Sequence, residues 1–178
     1  MRRLLALVAV LGLCSITSAQ NPAEEKTLPP NAAEKTVTVK KFTFTWHCDS
    51  VDLIGRVAYP TKGWVAAGFN PVKVMQGANI IMGCVTDKGE TILSDQFGVE
   101  MYKHKPDDAI GGVNNITKGS VTEVDGVTTV SFTIPLKSGD ARDVELTAGT
   151  EVTVIFSESS KDNITRRHDT VAKTRITL

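Results

Sequence analysis

Between Val37 and Leu178 the apolar residues recur chiefly at every second position, the spacing of strands that bury one face. Val37 and Val39 begin the alternation, and Phe42, Phe44 and Trp46 continue it one residue out of phase. Such a slip turns apolar groups to the wrong face unless an extra residue absorbs it, so a bulge is expected near Lys40-Lys41. Further strands are expected over residues 51–59, 64–69, 79–85 and 91–97. Residues 120–124 and 127–134 flank Asp125-Gly126, a strong signal for a two-residue hairpin. Strands over 152–156 and 171–178 complete the set, and no heptad pattern or internal repeat interrupts it. The 6% aromatic content is offset by many Thr and Val, whose branched side chains suit a pleated surface. These features predict one all-β domain, an antiparallel immunoglobulin-like β-sandwich of about nine to eleven strands. A long loop is expected from Glu100 to Gly119, and long loops on rigid scaffolds often carry function.

The amino end reads as an address rather than as fold. Arg2 and Arg3 precede an apolar run from Leu4 to Leu13, and Thr17-Ser18-Ala19 places small residues where a signal peptidase cuts. The expectation is a signal peptide over residues 1–19, cleaved near Ala19/Gln20, and a secreted or periplasmic product. The run falls well short of the roughly 20 residues that span a bilayer, so no membrane span is expected. Residues 20–36, rich in Pro, Glu, Lys, Asn and Ala, read as a flexible linker, leaving residues 37–178 as the domain. Losing Arg2 and Arg3 from 20 basic residues leaves 18 against 20 acidic ones, a net charge of about −2. That balance argues against nucleic acid as a partner, which needs a basic patch to displace counterions. Cys48 and Cys84 remain after cleavage, either as one disulfide or as two thiols. In a eukaryotic host Asn115-Ile116-Thr117 and Asn163-Ile164-Thr165 are glycosylation acceptors.

Few residues offer chemistry. The chain has no Gly-x-Ser-x-Gly, phosphate loop or His-Glu-x-x-His, and no Cys-x-x-Cys-His for covalent haem. No nucleophile or acid–base pair stands out, so an independent enzyme is not expected. His47, Cys48 and Asp49 adjoin, but on a strand only His47 and Asp49 share a face, too few ligands for a metal alone. The stretch Gly63-Trp64-Val65-Ala66-Ala67-Gly68-Phe69-Asn70 is more informative, because small residues let something bulky lie against a strand. Met82 lies within an apolar strand as core filler, whereas Met75 follows in a polar loop beside Lys73, Gln76 and Gly77.

Gly63 to Asn70 resembles the DOMON family, modules related to the amino-terminal domain of dopamine β-monooxygenase. So do Met75-x-Gly-Ala-Asn-Ile, Gly83, Asp95, His104-Lys105-Pro106-Asp107, Gly111-Gly112 and Asn115-Ile116. The pattern ends with Phe132-x-x-Pro135-Leu136-x-x-Gly139-Asp140 and Arg167-His168, spanning roughly residues 37–178. The resemblance implies a β-sandwich that binds haem b or, in other members, a sugar. In the related cytochrome domain of cellobiose dehydrogenase the axial ligands are a Met after the Gly-rich strand and a His before the final strand. Those positions match Met75 and His168 here. Here Asp169-Thr170 follows the His, where many members carry Gly and basic residues.

The residues are compatible with that implication. Trp64, Phe69 and Ile80 would line an apolar slot, and Arg166 and Arg167 would pair with propionates. His104 is the competing ligand or a group capping the pocket. Met/His ligation fills both axial positions and favours electron transfer with a redox partner protein. The alternative is a haem-free module for a carbohydrate or small molecule, with Trp64 and Tyr102 as stacking surfaces.

Overall fold

A computed structural model describes residues 33–178; the expected signal peptide and most of the linker lie outside the described residues. Five strands form one sheet: β1 (Lys35–Val39), β2 (Phe42–Cys48), β3 (Asp52–Tyr59), β8 (Lys118–Val124) and β9 (Val127–Pro135). Six form the other: β4 (Val65–Phe69), β5 (Asn79–Val85), β6 (Thr91–Glu100), β7 (Lys103–Pro106), β10 (Glu151–Glu158) and β11 (Thr170–Thr177). The orders are β1-β2-β3-β9-β8 and β11-β10-β4-β5-β6-β7, with every neighbouring pair antiparallel. The sandwich and its strand number agree with the sequence pattern.

The inward residues of both sheets meet in a core of Phe42, Phe44, Trp46, Leu53, Val57, Phe69, Ile81, Val130, Phe132, Val154 and Phe156. Phe44 is its centre, with ring centroids of Trp46, Phe156, Phe69 and Phe132 at 5.3, 5.6, 6.2 and 6.5 Å. Burying each such ring contributes roughly 1.5–3 kcal/mol. The alternation read in the sequence is literal on β9, whose residues are by turns half-buried and buried. Asp125 and Gly126 close the β8–β9 hairpin at φ 51° and 73°, so Val124 pairs Val127.

Three sequence expectations are corrected. Lys40-Lys41 is not a bulge but the turn of a hairpin: Lys40 adopts φ 54°, and Val39 pairs Phe42 with no break in register. The chain reverses there, so the slipped phase keeps Val37 and Val39 on the same face as Phe44 and Phe42, their cross-strand partners. The first strand begins at Lys35, two residues ahead of the expected start, and Thr36 Oγ1 lies 3.1 Å from Thr45 Oγ1. The segment from Glu100 to Gly119 is not one loop. It holds β7, a 3-10 helix (Asp107–Ile110) and the first residues of β8, with a register shift between Gly98 and Glu100.

Cys48 and Cys84 are both free thiols. Cys48 packs against the inter-sheet core, whereas Cys84 belongs to a separate cluster on the other side of the six-stranded sheet. Burial pushes both thiols up, Cys84 to about 11. Among the described residues no helix is long and apolar enough to cross a membrane.

Candidate functional site

Strands β4 and β5 break the alternation, for every residue of β4 and all but the last of β5 is buried. One face of these strands looks into the core; the other carries a second cluster of Trp64, Ala66, Ala78, Ile80, Met82 and Cys84. A strand buried on both faces needs a cover on each. Here two connections supply it. Met75 packs on the cluster from residues 70–78, and Ile164 from residues 159–169, the loop that carries His168.

The glycines of the motif show how the covers attach. A Cβ on Gly98 would lie 1.9 Å from the Met75 carbonyl oxygen, so the backbone at Met75 rests directly on β6. Gly77 N–H donates to Gly98 O at 2.7 Å and Gly98 N–H to Ala78 O at 2.9 Å. Val74, next to Met75, is held at φ 57°, a conformation that costs a β-branched residue on the order of 1–3 kcal/mol. Gly63 likewise abuts Ser159 O and Lys161 N at 2.1 and 2.4 Å from its would-be Cβ. Trp64 N–H donates to Lys161 O, Ser159 N–H to Trp64 O, and Cys84 Sγ to Asp162 O at 2.9 Å. The Asp169 carboxylate accepts from Ser160 N–H and Oγ, both at 2.8 Å, which holds its pKa below the usual carboxylate range. The residue that departs from the family pattern therefore ties the two ends of the His168 loop together.

Three of the expected site residues, Trp64, Ile80 and Met75, meet on this face. Trp64 and Ile80 belong to the cluster, Met75 packs on it, and Ile155 and Ile80 close over Gly68. His104 pairs Gly98 across β6–β7, and its Nδ1 lies 2.6 Å from Gln96 Oε1. That amide oxygen accepts, so Nδ1 carries the proton and Nε2 presents a lone pair. Burial, with the nearby His168 as a smaller cause, holds the His104 pKa below its ordinary value. Through Gly98, its cross-strand partner, His104 lies on the part of β6 on which the Met75 backbone rests.

Phe69 does not join them. It is fully buried in the inter-sheet core against Phe44 and Phe132, because alternation along β4 sends it to the opposite face from Trp64 and Gly68. Arg166 and Arg167 are exposed on the loop. Trp64 is 2% exposed, so its ring offers no stacking surface, and its Nε1 has no hydrogen-bond partner. Tyr102 is 78% exposed beside a cavity of about 460 Å³ bordered by Gln76, Glu100, Met101 and Lys103. His47 lies in a polar groove on the outer face of the five-stranded sheet, and Asp49 accepts from Val51 and Asp52 N–H as a turn.

Sequence reasoning missed one group altogether. Asp95, Asp107 and Asp143 each place a carboxylate oxygen within 4.8 Å of the others at one end of the sandwich. Burial, above all, pushes the Asp95 and Asp107 carboxyls up to about 7, and neighbouring carboxylates add to the shift. The signal was present as three scattered acids in a β-rich chain, but only folding brings them together.

The face offers an apolar wall and the Met75 thioether, groups of the kind that haem takes, and Trp64 Nε1 is buried there without a hydrogen-bond partner. The model of the DOMON domain matches residues 38–159. No curated protein matches the chain. Among solved structures, the cytochrome domain of Myriococcum thermophilum cellobiose dehydrogenase superposes with TM-score 0.51 at 10% identity, covering 82% of this chain and 81% of its own. The cytochrome b domain of Coprinopsis cinerea pyranose dehydrogenase gives TM-score 0.49 at 11% identity, covering 76% and 75%. A family 9 carbohydrate binding module from Caldicellulosiruptor kristjanssonii, in complex with glucose, gives 0.41 at 11%, covering 74% and 65%. At such identities the likeness is one of fold alone. With the family model spanning most of the described strands, the chain belongs to the DOMON domain family.

Proposed function

We propose that this domain binds one haem b without covalent attachment and passes single electrons to and from a redox partner, with Met75 and His168 as the iron ligands. The observation that carries this reading is that Met75 and the loop of His168, through Ile164, both pack on one apolar sheet face. Haem held there would supply a one-electron carrier. The chain's own residues do the rest. Ile80 and Met82 present an apolar wall that excludes water, and the Gly98 contact fixes the Met75 backbone. Trp64 Nε1, buried without a partner, could donate to a propionate, and the exposed Arg166 and Arg167 would offer it cationic partners. Gln96 orients His104, whose pKa burial holds below its ordinary value, so that its uncharged form is favoured. Residues 1–19 would direct the product out of the cytoplasm, so the partner would be secreted or periplasmic.

Reconstitution with haem tests the proposal. The wild-type protein should take up one haem per chain with a sharp Soret band and a low-spin reduced spectrum. Met75→Ala and His168→Ala should each abolish the low-spin bands; unchanged spectra in both overturn the ligand assignment. A second reading, a haem-free module for a carbohydrate or small molecule, draws on exposed Tyr102 beside the 460 Å³ cavity. A protein that refuses haem yet gains Tm with a glycan, and loses that gain in Tyr102→Ala, would favour it.

A further inference from the structure

Where β5 and β6 face the loops after β7 and β9, four polar side chains pack together, and three of them lack enough partners. Asn79 and Asp95 face inward from β5 and β6, Asp107 opens the 3-10 helix, and Asp143 lies between β9 and β10. Asn79, Asp95 and Asp107 are 3%, 2% and 0% exposed. Some of their polar atoms are served: Asn79 Nδ2 donates to Asp143 Oδ1 at 2.7 Å, and Asn115 N–H to Asp95 Oδ2 at 2.9 Å. The Asn115 amide, with its nitrogen turned inward, donates to Asp143 Oδ2 at 3.0 Å. Four buried oxygens are left with no hydrogen bond: Asn79 Oδ1, Asp95 Oδ1 and both oxygens of Asp107.

Buried oxygens without partners are rare in folded proteins, because each forgoes its water at a cost of about 1–3 kcal/mol. Among the described residues none of the three carboxylates is in an ion pair. The nearby Arg142 guanidinium stands over the Phe97 ring, 5.9 Å from its centroid. A shared proton would draw two carboxyls into a short hydrogen bond, and the unpartnered oxygens make none. Oxygens bound to one Ca²⁺ lie about 2.3–2.6 Å from it and so up to about 5 Å from each other, the range seen here. Every donor is a carboxylate or amide oxygen, with no thiolate or imidazole, which selects a hard cation over zinc or copper.

We propose that Asp95, Asp107, Asp143 and Asn79 bind one divalent cation of the calcium class, which pins the 3-10 helix and the loop holding Asp143 to β5 and β6. This site is separate from the Met75–His168 face and does not depend on haem.

The test uses the full chain, stripped with EDTA and titrated with CaCl₂ by calorimetry and by thermal unfolding. One Ca²⁺ per chain should bind, with Tm rising as ligand is added beyond saturation. Asp107→Asn should lower the affinity at least about tenfold, the scale of losing one good metal contact. In EDTA at pH 8 that variant should be no less stable than the wild type, since it removes an uncompensated buried charge. No heat and no Tm change at about 10 mM Ca²⁺, above the ~10⁻⁴–10⁻³ M of weak extracellular sites, would overturn the proposal. So would an Asp107→Asn variant that binds Ca²⁺ as the wild type does. Should Asp107→Asn fail to fold, Asp143→Asn read by the same titration carries the test, with the same two outcomes.

Discussion

On the outer face of the six-stranded sheet, Trp64, Ile80 and Met82 are buried under two loops; at the end of the sandwich, Asn79, Asp95 and Asp107 are buried just as deeply. The first region leaves one polar atom unserved, Trp64 Nε1, whereas the second leaves four. Equal burial thus means different things. Apolar side chains gain roughly 25 cal/mol per Å² from being covered and demand no partner, so the Trp64–Ile80–Met82 face is satisfied by the two loops themselves. Oxygens lose by the same burial and require an occupant or a proton. The face that looks like a cofactor site from its motifs makes the weaker structural demand.

The comparison is best broken at the ligands. His168→Ala should remove the low-spin haem spectrum entirely while leaving the calcium-induced rise in Tm intact, as absorbance and unfolding on the same sample will show. Asp107→Asn should do the reverse, keeping the spectrum and losing the calcium response. At calcium 100 times its Kd that response amounts to about 2.7 kcal/mol, a Tm shift on the order of 5–10 °C for a domain of this size.

Gly98→Ala sharpens the boundary between the regions. Its Cβ would collide with the Met75 carbonyl, so the loop must lift at a cost of about 1–3 kcal/mol in urea unfolding, with haem affinity falling and calcium affinity unchanged.

In EDTA the pH dependence should also separate the two regions. Folded Asp95 and Asp107 keep their protons up to about 7, while unfolded carboxyls release them near 3.8. Between those values the folded state holds the extra protons, so stability is full below the unfolded pKa and is lost as pH rises through 7. The Tm of the stripped protein should therefore fall by several degrees from pH 5 to pH 8, and saturating Ca²⁺ should abolish the fall. The smallest effect belongs to Trp64→Phe, which removes an unpartnered N–H. The haem-free protein should change by no more than about 1 kcal/mol, while haem affinity drops if that N–H serves a propionate.

Much of this was legible in the sequence, for local reasons. Alternation on β9 and the Asp125-Gly126 turn are properties of adjacent residues, and the structure keeps both. Misreadings arose where chain direction or a distant partner decides. A phase slip at Lys40-Lys41 fits a bulge or a reversal equally well, and only the pairing of Val39 with Phe42 selects the reversal. Phe69 sits in the motif with Trp64, yet strand parity puts their side chains on opposite faces. Gly63 and Gly98 do mark close approach, but what approaches is the chain's own backbone.

By itself the sequence determined the class of fold, most of the strands and the resemblance that points to Met75 and His168, because periodicity and motif order are written along the chain. Tertiary structure alone decided which face each residue serves, that Cys48 and Cys84 stay apart, and that Asp95, Asp107 and Asp143 meet. The acids are separated by 12 and 36 positions along the chain, and no local rule links them. Only the packing of two sheets and their loops removes the water between them and leaves their oxygens facing one another.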